Sequence, residues 1–213
     1  MLRLIQQDLE RVYDIDSTIE IDDFVCDEMT ARAVVGNAVE RGEVVWIREN
    51  AQEIALGLYV APRAIQVLLQ AESRTQWYSH TFWAWSLATE GVSHLIYLHH
   101  KACLSQTVSL LELELQAEID KYVTGLMLLP EGADLIEHSA TLRRELFEKV
   151  QYLDAPESEA GDRYRQANRL AAIYARMLEQ EFLKYRAMHA FAASLRRFYR
   201  LGGMAKLRYC RTG

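Results

Sequence analysis

The constraint that weighs most on this chain is how little interrupts its second half. Between Gln76 and Gly213 there are only two prolines, Pro130 and Pro156, and both fall where a helix would have to end. Apolar residues recur there at helical spacing, which predicts helices near 76–103, 107–129, 134–152, 160–186 and 188–201. They are joined by "LSQT", "PEGAD", "LDAPESEAG" and a bend near Ala187.

The first third reads differently. Leu2, Ile5, Leu9 and Val12 mark a short amphipathic helix over 2–13, followed by an acidic loop. Asp22 or Asp23 is placed to cap a helix reaching about Gly36. Two β-branched runs, "EVVWIREN" and "EIALGLYV", flank "ENAQ" and predict a hairpin with strands near 43–48 and 53–60. Pro62 suits the first turn of a helix to about Ser73. The expected architecture is mainly α with a small β-hairpin: about five C-terminal helices in a bundle with a small sheet at one end. One domain over 1–213 is expected, with N-terminal helices and hairpin at 1–73, the bundle at 76–201 and a basic tail at 202–213.

Composition bounds the setting. Half the residues are hydrophobic and a quarter charged, the balance of a folded globular chain. No apolar run approaches the roughly 18–20 residues of a membrane span, and the acidic N-terminal segment lacks the character of a secretory or transit signal. Cys26, Cys103 and Cys210 are odd in number and form no CxxC pair, which argues against a disulfide framework and a zinc ribbon. A cytoplasmic location is the expectation.

Charge is unevenly spread. Residues 184–213 contain eight lysines and arginines and no acid, so the rest of the chain carries −14 against the overall −6. Arg196, Arg197 and Arg200 cluster on one helical face, and two uses compete for them. They dock on the acidic body, or they make a local contact with nucleic acid or another anionic partner. The segment "WYSHTFWAW" spreads Trp77, Phe82, Trp83 and Trp85 around most of a helix, so some of these rings are expected to reach an interface.

Chemistry concentrates in "EGVSHLIYLHH", residues 90–100, which holds half of the six histidines. At about 100° per residue the apolar stripe runs through Ala84, Leu87, Gly91, Leu95 and Leu98, with His94 at its edge and Glu90 one turn earlier. His99 and His100 project about 140° and 120° away from His94, so the three cannot form one mononuclear site. On the next helix the stripe is Leu111, Leu115, Ile119, Tyr122 and Leu126. Glu112 lies within that stripe, whereas Glu114, Glu118 and Lys121 fall toward the polar side. An antiparallel hairpin of the two helices brings Glu112 level with Leu98, within reach of His94 or Tyr97.

Glu90, His94 and Glu112 are therefore the candidate catalytic or metal-binding residues. A structural reading competes with the functional one, because a buried carboxylate and imidazole also satisfy one another. No Glu-x-x-His or His-Glu-x-x-His occurs, so neither a di-iron bundle pattern nor a zinc-hydrolase pattern is present. The sequence leaves the cofactor unknown. The first expectation for function is a binding or adaptor protein that docks to a protein partner or self-associates through Trp77, Trp83, Trp85, Arg196, Arg197 and Arg200. The alternative is a metal-dependent or acid/base enzyme with a Glu/His site between two antiparallel helices.

Overall fold

The structure is a computed structural model that describes residues 1–49, 54–79, 81–130 and 132–212. It is mainly α with one two-stranded antiparallel sheet. The elements are α1 (Leu2–Tyr13), α2 (Glu28–Val35), β1 (Glu43–Glu49), β2 (Ile54–Val60), α3 (Pro62–Leu69), α4 (Thr75–Ser79), α5 (Phe82–Cys103), α6 (Leu110–Met127), α7 (Leu135–Phe147), α8 (Glu159–Glu181), α9 (Met188–Arg200) and α10 (Gly203–Thr212). The turn between the strands falls outside the described residues.

Capping chemistry sets several helix starts. Asp27 accepts from the Thr30 amide at 2.7 Å, Asp134 from the Ile136 and Glu137 amides at 2.8 Å, and Ser158 from the Gly161 amide at 3.0 Å. Pro62 occupies the first turn of α3, where its missing N–H costs nothing. The helix expected from Asp22 begins only at Glu28. The reason is that Phe24 and Cys26 are tied to the edge of β2: the Cys26 amide donates to the Leu58 carbonyl at 2.9 Å, and the Leu58 amide to the Phe24 carbonyl at 2.8 Å.

Helix α6 is the centre of the molecule. It packs on α5, α7 and α8 and is touched by α1 and α10, so it is buried nearly all round from Glu112 to Gly125. This overturns the expected polar side of α6. Glu114 and Lys121 are buried, and Glu118 keeps only 15% of its side chain exposed. A helix covered on several faces has no single apolar stripe, and its polar residues must meet one another inside.

The hairpin packs on α5 at Gly91, where no side chain intervenes. A Cβ there would lie 2.7 Å from Leu58 Cδ1 and 2.8 Å from Glu43 Cγ. Small size at this one position lets β1 bring Glu43 against the helix face that carries Glu90 and His94.

The expected basic tail is a helix, α10, packed on α8 and α6. Lys206 is fully buried and Cys210 nearly so. Arg196 donates to the Val12 carbonyl at 3.2 Å and lies 3.7 Å from Asp14. Arg200 donates to the Asp14 carbonyl, and the Arg197 guanidinium sits 5.5 Å from the Tyr209 ring. These three arginines are engaged by their own chain. Of the tryptophans expected at an interface, Trp77 and Trp85 belong to the core, and Trp77 donates its indole N–H to the Leu68 carbonyl. Trp83 is half exposed, with the Arg63 guanidinium 5.8 Å from its ring.

Candidate metal centre

Two polar stripes run along α6, and each faces a different part of the interior. Glu112, Gln116 and Asp120 form one, and Glu114, Glu118 and Lys121 the other, each spaced by one helical turn.

The first stripe builds a closed network. Glu112 accepts from the Tyr97 hydroxyl at 2.6 Å and from the Gly203 amide at 2.9 Å. Asp120 accepts from Ser93 Oγ at 2.5 Å, from Gln116 Nε2 at 2.7 Å and from the Tyr13 hydroxyl. Lys206 reaches in from α10, with Nζ 2.7 Å from the Tyr97 hydroxyl and 2.5 Å from Gln116 Oε1. Burial pushes the Asp120 carboxyl up to about 6, against its hydrogen bonds, and pushes the Lys206 ammonium down to about 7. Gln116, Asp120 and Lys206 are almost wholly enclosed, and their polar atoms find partners within the network. It reads as a structural tie between α1, α5, α6 and α10.

The second stripe lines a cavity of about 360 Å³. Glu90 and His94 come from α5, Glu114, Glu118 and Lys121 from α6, Glu43 from β1, Tyr164 from α8, and residues 150–154 from the loop after α7. Arg41 grips Asp154 at 2.7 and 2.9 Å and so holds that loop over the cavity. The helix expected to reach residue 152 ends at Phe147, and the segment after it runs across the cavity instead.

His94 is the focus. Its Nδ1 lies 3.5 Å from Glu43 Oε1 and its Nε2 lies 3.6 Å from Glu114 Oε2. Both distances are ion-pair contacts longer than good hydrogen bonds. Glu43 Oε1 and His94 Nε2 are buried atoms without a hydrogen-bond partner. Among the described residues, Glu90, His94 and Glu114 offer three ligand atoms within 4.8 Å of one another.

The electrostatics of this group are strained by burial. Desolvation raises the Glu43 and Glu118 carboxyls, partly offset by His94 and Lys121 respectively. Burial also opposes ionisation of Glu90, but the Lys121 ammonium and His94 outweigh it and hold its pKa below the ordinary value. Burial by itself depresses His94, yet Glu114 and Glu43 prevail and keep the imidazole well above its usual range. Four carboxylates thus face the Lys121 ammonium and the His94 imidazole, with the Arg163 guanidinium 3.7 Å from Glu114 and Arg41 also in the lining.

The residues expected from the sequence divide between the cavity and the closed network. Glu90 and His94 meet as expected from their spacing. Glu112 is on the other face of α6, bonded to Tyr97, and does not reach His94. The carboxylates that do reach it are Glu114 and Glu43. His99 and His100 lie elsewhere: His99 is 3.7 Å from Cys103 Sγ on the surface, and the His100 ring packs 5.2 Å from Tyr199. A signal for Glu114 was present in the one-turn spacing of Glu114, Glu118 and Lys121, whereas Glu43 is brought in by packing of the hairpin, which no local pattern announces. Comparison with family models, with curated proteins and with solved structures returns no match.

Proposed function

We propose that this protein is a divalent-metal-dependent enzyme. Glu90, Glu114 and the Nε2 of His94 are the metal ligands, and Glu43 holds the other ring nitrogen. The observation that carries this reading is the buried, unpartnered Nε2 of His94, facing Glu114 on one side while Glu43 backs Nδ1 on the other. Metal-bound histidines commonly hold their second nitrogen against a carboxylate, which fixes the tautomer and ring orientation.

Two carboxylates and one imidazole suit a first-row divalent ion such as Mn²⁺, Fe²⁺ or Zn²⁺. Three protein ligands leave coordination positions for water or substrate, the arrangement of catalytic rather than structural sites. When bound, such an ion supplies Lewis acidity or an activated water. The chain's own groups shape what reaches it. Val44, Val45, Leu87, Leu113 and Leu153 add apolar side chains to the lining, and Tyr152, Tyr164 and Arg41 add polar groups. This favours a small, partly apolar substrate with one or two polar groups.

The adaptor reading retains Trp83 and Arg63 as its surface, because the other aromatic and basic residues it needs are engaged within the chain. Elemental analysis separates the two. Protein equilibrated with Mn²⁺, Fe²⁺ or Zn²⁺ and then desalted should retain one of these ions, and His94→Gln should retain little of it while keeping its helical content. A wild-type protein that holds no metal after this treatment overturns the reading.

A further inference from the structure

We propose that Lys121 limits the centre to a single metal ion, by placing its ammonium where a second ion would bind. The inference rests on the metal reading above and adds a statement about stoichiometry that the reading does not require.

The donors around the cavity exceed what one ion needs. Facing helices supply Glu90 and His94 from α5, Glu114 and Glu118 from α6, each pair one turn apart, and β1 adds Glu43. Carboxylates on facing helices of a bundle are also the raw material of two-metal centres, whose ions stand about 3.5–4 Å apart. In this molecule a lysine stands between Glu90 and Glu118 instead. Lys121 Nζ donates to Glu90 Oε2 at 3.1 Å and to Glu118 Oε1 at 2.8 Å, so it bridges one carboxylate from each helix. Its side chain is only 7% exposed. An ammonium in this position makes the contacts a bridging cation would make and repels a divalent ion brought to the same carboxylates.

The second oxygen of Glu118 supports the same assignment. Glu118 Oε2 is buried without a hydrogen-bond partner, so the carboxylate is only half used by the lysine. It has capacity for a cation that takes more than one donor. Arg163, whose Nε lies 3.7 Å from Glu114 Oε1, and Arg41, which lines the cavity, are further cations beside the cluster, and they pair with Glu114 and Asp154 rather than with Glu90 or Glu118. Removing the Lys121 charge therefore leaves Glu90 and Glu118 without their shared counter-ion. A second divalent ion supplied at saturation then competes with a proton for that place.

The experiment is Mn²⁺ binding to the 213-residue chain, read by metal content and by electron paramagnetic resonance. Wild type at saturation should hold one Mn²⁺ per chain, with the spectrum of an isolated ion. Lys121→Ala and Lys121→Met should hold two, with the exchange-coupled signal of a closely spaced pair. Lys121→Arg, which keeps a cation at the position, should stay at one. Wild type binding two coupled ions overturns the proposal without any variant. Neutral variants that remain folded by circular dichroism and bind one ion overturn it as well. Wild type that binds none of Mn²⁺, Fe²⁺ and Zn²⁺ overturns the metal reading and this inference together, so the two failures are distinguishable.

Discussion

Glu43 Oε1 lies 3.5 Å from His94 Nδ1, and this contact joins the hairpin to the polar cluster at the centre of the helical bundle. Glu43 is the first residue of β1, its own Oε1 has no hydrogen-bond partner, and it reaches His94 only because Gly91 leaves room on α5. Replacing it tests the orienting role apart from the ligands themselves. Glu43→Gln should keep the fold and retain a metal site, with affinity for Zn²⁺ or Mn²⁺ reduced about 10–100-fold, as for other partners of metal-bound histidines. Titration by calorimetry measures it. Unchanged affinity would remove Glu43 from the account.

Gly91→Ala probes the same contact through packing. The new methyl group meets Leu58 and Glu43 at distances side chains do not tolerate, so the hairpin or the Glu43 side chain must shift. We expect a loss of about 1–3 kcal/mol in stability, the usual cost of overpacking, together with a fall in metal affinity similar to that of Glu43→Gln. Denaturant unfolding and metal titration on the same protein report both effects.

Glu112→Gln should behave in the opposite way. The carboxylate serves Tyr97 and the Gly203 amide and faces away from the cavity. Stability should drop by about 1–3 kcal/mol, the cost of compromising a buried hydrogen-bonded group, while metal stoichiometry and affinity remain at wild-type values. A variant that unfolds normally but loses metal would place Glu112 in the site after all.

The closed network gives a pH signature of its own. The Lys206 pKa of about 7 in the folded protein lies below the roughly 10.4 of an unfolded lysine. Between these values the unfolded chain binds the extra proton, so this group's contribution makes stability rise with pH from about 7 toward 10. Asp120 acts in an earlier window. With a folded value of about 6, its contribution is full below about 4 and is lost as pH rises through 6. Lys206→Met removes the upper window. The stability difference between wild type and this variant should move in favour of wild type by about 2 kcal/mol between pH 7 and 9. Parallel unfolding curves for the two proteins over that range would contradict the assignment.

The extent to which the sequence carried this picture follows from the range of its interactions. The long helices, the hairpin and the pairing of Glu90 with His94 depend on spacing within one element, and spacing was sufficient to read them. The level of α5 against α6 was also legible, since Glu112 does lie beside Tyr97. The rotation of α6 was not. Glu112 and Glu114 point to nearly opposite faces, and assigning only one buried face to α6 sent Glu114, Glu118 and Lys121 to solvent. A helix enclosed by α5, α7 and α8 buries both polar stripes, and neither registers as amphipathic. Docking of the tail on its own chain was one of the two readings open, but how deeply it is drawn in was not legible, for a related reason. Eight cations without an acid look like a surface, yet Lys206 is drawn inside by Tyr97 and Gln116, partners contributed by helices far away in the chain.

The central claim is that Glu90, His94 and Glu114 hold a metal ion, and the most direct test is a crystal of the protein grown or soaked with Mn²⁺ or Zn²⁺ and measured at an anomalous wavelength. The account predicts an anomalous peak about 2.0–2.2 Å from His94 Nε2 and from a carboxylate oxygen of each of Glu90 and Glu114, with Glu43 still against His94 Nδ1. No peak at this position at saturating metal, or full occupancy confined to other residues such as His99 and Cys103, would contradict it.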